Sequence, residues 1–319
     1  MGVTLVTGAS GFVGTYLLKE MRERGLAVRG VSRSKTAGTV SIPSYGPELD
    51  WTPYLEGVDT VVHLAARVHV MRETATDPLA EFRRANVDAT LHLARQSAAA
   101  GVRRFVFVST IKVNGERTDP GKPFTADDQP NPQDPYAVSK AEAEAALTTL
   151  GHETGMEIVI IRPPLVYGPG VGGNFKSLMK WASFGLPSIF EDVKNRRSLV
   201  FVGNLCDLII TTLSHPNAAG RVLLAGDGPA LSTQELLVSL AAAFGKKARS
   251  VRVPLSILKA LQQLRVPGAA LLSRLTDNLE IDASDTRKQL TWSPRYDGPR
   301  SLSATARSAY LRDQEGRQG

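Results

Sequence analysis

A chain of 319 residues can bury a full hydrophobic core, and it falls near the size at which one domain acquires a second lobe. Hydrophobic residues at 42% and charged residues at 22% match ordinary globular proteins, which argues against a disordered or fibrous chain. The formal charge of +7 comes from scattered Arg and Lys residues that never form a long block, so it points to an anionic small substrate and not to nucleic acid.

The start, Met1-Gly2-Val3-Thr4-Leu5-Val6, lacks a basic region and runs into a glycine loop, so it reads as a first core strand and not as a signal peptide. Further strands are predicted at Ala27–Ser32, Thr60–Leu64, Arg104–Ser109 and Ile158–Arg162, after a first one at Thr4–Thr7. Between them the segments 12–24, 79–99 and 136–154 carry apolar residues at helical spacing. This alternation is the mark of an α/β protein with a doubly wound parallel sheet. The segment 116–135, rich in Pro and Asp, is a long loop of the kind that usually serves function.

After Pro163 the alternation weakens and Pro and Gly become frequent as far as Gly173, so a smaller C-terminal substrate-binding lobe is expected over 166–319, following a first domain over 1–165. Arg221–Ala225 reads as one more strand returning to the sheet, ahead of helices at 232–244 and 254–275. Lys259, Gln262, Gln263, Arg265 and Pro267 interrupt the last of these, whereas a membrane span needs about 20 mostly apolar residues; an amphipathic helix and no transmembrane segment are expected. The lone Cys206 cannot form an internal disulfide and suits a reducing compartment, so the expected location is cytoplasmic.

Directly after the first strand stands Gly8-Ala9-Ser10-Gly11-Phe12-Val13-Gly14, followed by a helical run. Such glycines allow a tight turn, the approach of a pyrophosphate to the main chain, and close helix-strand packing, while the helix N-terminus favours negative charge. Position between strand and helix turns a weak pattern into a dinucleotide site. Tyr136 and Lys140 stand four residues apart on a predicted helix and therefore share a face. A tyrosine near pKa 10 needs about 4 kcal/mol from its surroundings to act as a base at neutral pH. An ammonium about 4 Å away supplies an attraction of that size at an effective dielectric of about 20.

The Gly-x-x-Gly-x-x-Gly spacing, together with Tyr136-Ala137-Val138-Ser139-Lys140, resembles the extended short-chain dehydrogenase/reductase superfamily and its NAD-dependent epimerase/dehydratase family. Val62-His63-Leu64-Ala65-Ala66, Asn86-Val87 opening a helix, and Arg162-Pro163 before Val166-Tyr167-Gly168-Pro169 fit the same pattern. The resemblance implies a Rossmann sheet and a catalytic trio of Thr110, Tyr136 and Lys140, with Thr110 preferred over Ser109 by its place before Ile111-Lys112-Val113-Asn114-Gly115. It implies cofactor contacts from Gly8, Ser10, Gly11, Phe12, Val13, Gly14, Ser32, Arg33, Leu64, Ala65, Ala66, Asn86, Tyr136, Lys140 and Pro163, and no metal site. Tyr136 would donate a proton to a developing alkoxide while Thr110 hydrogen-bonds the same oxygen.

Where an acid would accept hydrogen bonds from the adenosine ribose of NAD, the second strand ends in Ser32-Arg33, which favours the 2′-phosphate of NADP(H) over NAD(H). Where the family often has Gly-Asp-Leu to contact adenine, this chain has Pro43-Ser44-Tyr45. Dehydratases of the superfamily carry Asp-Glu after the catalytic threonine; Ile111-Lys112 here argues against water elimination. Asn174 and Arg197 match the diphosphate contacts of nucleotide-sugar enzymes, with Arg196 the weaker candidate. Val68-His69-Val70-Met71 and Ile161–Gly170 are similar to bacterial UDP-4-keto-6-deoxy-N-acetylhexosamine 4-reductases of O-antigen synthesis. The leading expectation is therefore NADP(H)-dependent reduction of a UDP-linked 4-keto sugar. The alternatives are a UDP-hexose 4-epimerase holding NAD and a non-catalytic redox sensor. By family analogy the helices at 79–99 and 136–154 form a homodimer.

Overall fold

The structure, a computed structural model, describes residues 2–34, 36–68, 76–254, 256–258, 260 and 275–318, without the side chains of Asn174 and 310–318. The strands β1 (Val3–Thr7), β2 (Val28–Ser32), β3 (Thr39–Ser41), β4 (Val58–His63), β5 (Arg104–Val108), β6 (Glu157–Arg162) and β9 (Val222–Leu224) form one parallel sheet. Their order is β3-β2-β1-β4-β5-β6-β9, so the chain reverses its direction of winding between β1 and β4. Such a switch point opens a crevice at the carboxyl ends of the strands, where ligands bind. The strand expected near 221–225 does return to this sheet, beside β6.

The period of two along each strand divides the core into two layers. Val6, Val62, Val106, Val159 and Ile161 face α1 (Phe12–Glu23) and α7 (Val202–Thr212), where Leu17, Met21, Leu205 and Ile209 are fully or almost fully buried. Leu5, Val61, Phe105, Phe107, Ile158 and Ile160 face the other way, onto Leu93 of α4 (Ala89–Ala99) and onto Ala143 and Leu147 of α5 (Pro135–Thr154). Each such side chain contributes about 1.5–3 kcal/mol by leaving water.

The helix predicted over 79–99 is one run in three parts: α3 (Pro78–Arg83), a π-turn over Arg84–Asp88, and α4. Asn86 therefore does not open a helix but sits in its widened middle. The predicted helix at 136–154 begins at Pro135, capped by the Asp134 carboxylate accepting from the Ala137 amide at 2.7 Å, and ends at Gly155 with φ of 75°.

The second half contains elements that periodicity did not disclose. A two-stranded parallel sheet joins β7 (Leu165–Tyr167) to β8 (Leu199–Phe201), with α6 (Gly173–Ser183) lying between them in sequence. Helix α7 is buried almost all round, its polar Asn204 included. Asp227 joins these pieces, accepting from the Phe201 amide at 2.8 Å, Asn204 Nδ2 at 2.7 Å and the Tyr167 hydroxyl at 2.9 Å. Helix α8 (Thr233–Ala243) matches the segment expected at 232–244 and opens on a reciprocal Ser232–Glu235 capping box. Two further helices follow, α9 (Ser284–Leu290) and α10 (Gly298–Gln318). The helix expected at 254–275 falls mostly outside the described residues.

One buried ion pair fixes α5 on the sheet. Arg162 at the end of β6 donates to Glu144 at 2.5 Å and to Asn114 Oδ1 at 3.0 Å, and the side chains of Arg162 and Glu144 are each only 5% exposed. Removing one partner of such a pair leaves an uncompensated charge. Glu144→Ala is expected to lower stability by about 3–5 kcal/mol in urea unfolding, and Glu144→Gln, which keeps the volume and one acceptor, by less.

Candidate active site

Two cavities meet the carboxyl edge of the sheet. The larger, of about 980 Å³, lies over β1, β2 and β4 and is lined by Gly8, Ser10, Gly11, Phe12, Val13, Gly14, Ser32, Arg33, Leu64, Ala65 and Ala66, all predicted from sequence. Gly8 has φ of 67°, and a Cβ there would stand 2.8 Å from the Ala65 amide; a Cβ on Gly14 would overlap the Gly8 carbonyl. The loop is thus closed to side chains while α1 directs its N-terminal amides at the cavity, with no side chain capping them. Volume, glycine cradle and helix terminus together fit a dinucleotide.

At the far end of the cavity Ser32 Oγ bonds Ser10 Oγ at 2.9 Å, and Arg33 is exposed at the rim. Ser44 and Tyr45 line the wall where the family often has Asp-Leu. Tyr45 is anchored to His63, hydroxyl to Nε2 at 2.9 Å, and His63 Nδ1 meets Thr7 Oγ1 at 2.7 Å. Burial, assisted by the nearby Lys140 ammonium, holds the His63 pKa down to about 3, so this imidazole is a neutral prop and not a titrating group.

The smaller cavity, of about 290 Å³, brings Thr110 and Tyr136 together with Ile111, Lys112, Glu116 and Arg197. Leu165, Val166, Leu178, Leu199, Leu231 and Leu279 make the remainder of its wall largely aliphatic. Thr110 follows β5 and caps the short 3-10 turn Ile111–Val113, its hydroxyl accepting from the Lys112 amide at 3.3 Å. Ser109 is the other hydroxyl at this strand end; it is buried, and its Oγ has no partner among the described residues. Tyr136, in the first turn of α5, packs edge-on against Phe82 at 6.1 Å.

Lys140 lies one turn further along, 2% exposed, donating to the Val108 carbonyl at 2.7 Å with its Nζ 3.8 Å from the Phe107 ring centre. Its burial pushes its pKa down to about 7 against the opposing pull of Glu144. Burial, with the Asp134 carboxylate adding to it, pushes Tyr136 up to about 12. The sequence argument expected the phenol to be drawn down by the ammonium; the structure shows desolvation acting more strongly on both groups. Tyr136 is therefore protonated throughout the physiological range, the state of a proton donor.

Other predicted residues act from further back. Asn86 does not line either cavity; its amide accepts from the Arg67 amide at 2.8 Å and donates to Ser139 Oγ at 3.0 Å, tying the Leu64–Val68 loop to α5. Pro163 is buried, and its carbonyl accepts from the Ile111 amide at 2.9 Å, which sets the turn behind Thr110. Arg197 lines the smaller cavity and donates to the Asp277 carbonyl at 3.0 Å, whereas Arg196 pairs with exposed Glu235 at 3.2 Å. Asn174 stands in the first turn of α6, its side chain outside the description, and His69–Met71 are likewise outside it. Lys112 and Glu116, which line the cavity beside the trio, were not singled out as site residues; only the place of Lys112 directly after Thr110 could have signalled it.

This arrangement is shared by known proteins. The chain belongs to the NAD dependent epimerase/dehydratase family, whose description matches residues 4–226, and so to the nicotinamide-dependent short-chain dehydrogenase/reductase enzymes. It is 41% identical to a UDP-glucose 4-epimerase of Vibrio cholerae over 296 residues, 91% of this chain and 90% of that one. Among solved structures, it resembles a UDP-glucose 4-epimerase of Thermotoga maritima with UDP-glucose (TM-score 0.77, 21% identity, 98% and 99% of the two chains). It also resembles a Thermus thermophilus UDP-glucose 4-epimerase complexed with NAD (TM-score 0.77, 22% identity, 97% and 99%). At those identities the structural likeness shows the shared fold. No helix among the described residues is long and apolar enough to cross a membrane.

The depressed Lys140 gives a pH signature. Between its folded pKa of about 7 and the unfolded value of about 10.4, the unfolded chain holds a proton that the folded chain has released, so this group makes stability rise with pH. Urea unfolding at pH 7 and pH 9 should show that contribution in the wild type and its loss in Lys140→Met; an equal gain in both proteins would refute it.

Proposed function

We propose that the protein exchanges a hydride and a proton at C4 of a UDP-linked hexose, and that its reaction is 4-epimerisation. The observation that carries this reading is the meeting of Thr110 and Tyr136 at one cavity whose lining also includes Arg197. A nicotinamide dinucleotide in the larger cavity supplies the hydride chemistry when bound. Thr110 and Tyr136 hold the C4 oxygen between two hydroxyls, and Tyr136 passes the proton to it or takes it away. Lys140, anchored on Val108 one helical turn from Tyr136, is suited to the nicotinamide ribose. Arg197, in the lining of the smaller cavity, would take the diphosphate, with Asn174 as the second contact that the family pattern implies.

Epimerisation requires the sugar to present both faces to the same hydride site. Walls made of Leu165, Val166, Leu178 and Leu199 offer few directional hydrogen bonds to hold one face. The names of the similar proteins support the same reading, and NAD is the cofactor named with one of them.

A second reading, reduction of a UDP-4-keto sugar by NADPH, rests on Ser32 and Arg33. Both line the larger cavity at the end of β2, where an acid would serve NAD; the acidic residues lining the cavity, Glu48 and Glu81, come from other elements. An exposed guanidinium there suits a 2′-phosphate. Helices α3, α4 and α5 lie side by side, joined by the Arg83–Glu142 pair at 2.6 Å, and we extend the proposal to a homodimer formed through this face.

Incubation of the purified protein with UDP-glucose and UDP-N-acetylglucosamine, without added cofactor, should yield the galacto epimers. Turnover only of a UDP-4-keto sugar with NADPH would replace epimerisation by the second reading, and no turnover of either would overturn the proposal. Tyr136→Phe should lower kcat by about 10²–10⁴ while the protein still binds dinucleotide.

A further inference from the structure

Lys112 stands where dehydratases of the family carry an acid, and it pairs with two carboxylates at the mouth of the smaller cavity. Its Nζ donates to Asp134 at 2.5 Å and to Glu116 at 2.8 Å. Asp134 is the N-cap of α5, and Tyr136 is two residues beyond it. Lys112 and Glu116 line the cavity with Thr110 and Tyr136, so the clamp forms part of the wall that substrate meets.

We propose that Lys112 is a positioning residue for proton transfer: through Asp134 it holds the first turn of α5, and it screens Tyr136 from the Asp134 carboxylate. The inference rests on the proton-transfer role given to Tyr136 above. The charged groups around Tyr136 come from several elements. Asp134 and Lys140 lie on its own helix or cap, Lys112 and Glu116 come from the turn after β5, and Arg197 lines the same cavity. Arg67 lies over the Phe82 ring that touches Tyr136.

Asp134 is half buried, and burial works to raise its pKa, yet Lys112 and the Ala137 amide outweigh this and hold it below the ordinary range. It is therefore an anion beside a desolvated phenol, and it adds to the upward push on Tyr136. Without the Lys112 ammonium its field would reach the phenol unopposed. Lysine suits this place because its ammonium pairs with both carboxylates, whereas an acid would add a second repulsion.

The test is the pH profile of kcat in the direction in which Tyr136 accepts a proton. In Lys112→Met the rising limb should move to higher pH by about one unit, with a roughly tenfold lower rate at pH 7 and little change in KM. Lys112→Arg should restore the limb. Adding Asp134→Asn to Lys112→Met removes the offending charge but keeps an N-cap, and should bring the limb back. A limb unmoved in Lys112→Met, or one that stays displaced in the double variant, overturns the screening role. If the wild type turns over neither substrate class, the reading of the site fails on its own. Lys112 is then tested by the tyrosinate absorbance of 3-fluorotyrosine-labelled protein, wild type minus Tyr136→Phe, where the same displacements are expected and their absence refutes the inference.

Discussion

The contact between Arg162 and Glu144 fixes where α5 presents Tyr136 and Lys140. Tyr136, Lys140 and Glu144 follow one another at intervals of four along α5 and so share a face. Glu144 is held by Arg162 at the end of β6, and Lys140 by the Val108 carbonyl at the end of β5. With two anchors on adjacent strands, α5 can neither rotate nor slide without breaking a buried charged contact. Tyr136 is thereby delivered to the same edge as Thr110, which ends the connection from β5. Asn114 extends the lattice, accepting from Arg162 and donating to the Thr125 carbonyl, so the long loop after the Ile111–Val113 turn is tied to the same pair.

Burial also shapes the charge states. His63 is kept neutral, Lys140 is brought close to neutrality, and Tyr136 is kept protonated, all chiefly by loss of water. A site tuned in this way favours the neutral form of each group until a charged or polar ligand replaces the missing solvent. Beside Tyr136, Lys112 pairs with the Asp134 carboxylate at 2.5 Å.

The sequence alone disclosed the parallel sheet and the glycine loop, and it named Thr110 and Tyr136, which one cavity brings together, because each depends on local spacing or on a motif next to a strand. The π-turn that holds Asn86 and the carbonyl bond of Pro163 to the Ile111 amide were not legible, since neither leaves a side-chain signature. Helix α7 escaped because its polar residues Asn204 and Asp207 are drawn inward by partners distant in the chain, and α6 because its opening glycines read as loop. The expectation that Lys140 would lower the tyrosine pKa failed for a related reason: the distance of charges can be guessed from spacing, whereas desolvation depends on what packs above them. Arg33 and the Vibrio cholerae relative pull the functional reading in different directions, the first toward NADPH and reduction, the second toward epimerisation.

The claim common to both readings is that hydride passes between C4 of the sugar and the dinucleotide beside Tyr136. It is tested most directly with deuterium, using C4-deuterated UDP-glucose for the forward step or a deuterated reduced dinucleotide with a UDP-4-keto sugar for the reverse. With C4-deuterated UDP-glucose the epimer should keep its deuterium at C4 with none exchanged for solvent hydrogen, and with the deuterated dinucleotide the label should appear at C4 of the reduced sugar, both far more slowly in Tyr136→Phe. Loss of the C4 label to water, or a reduced sugar that carries no label, would contradict the account.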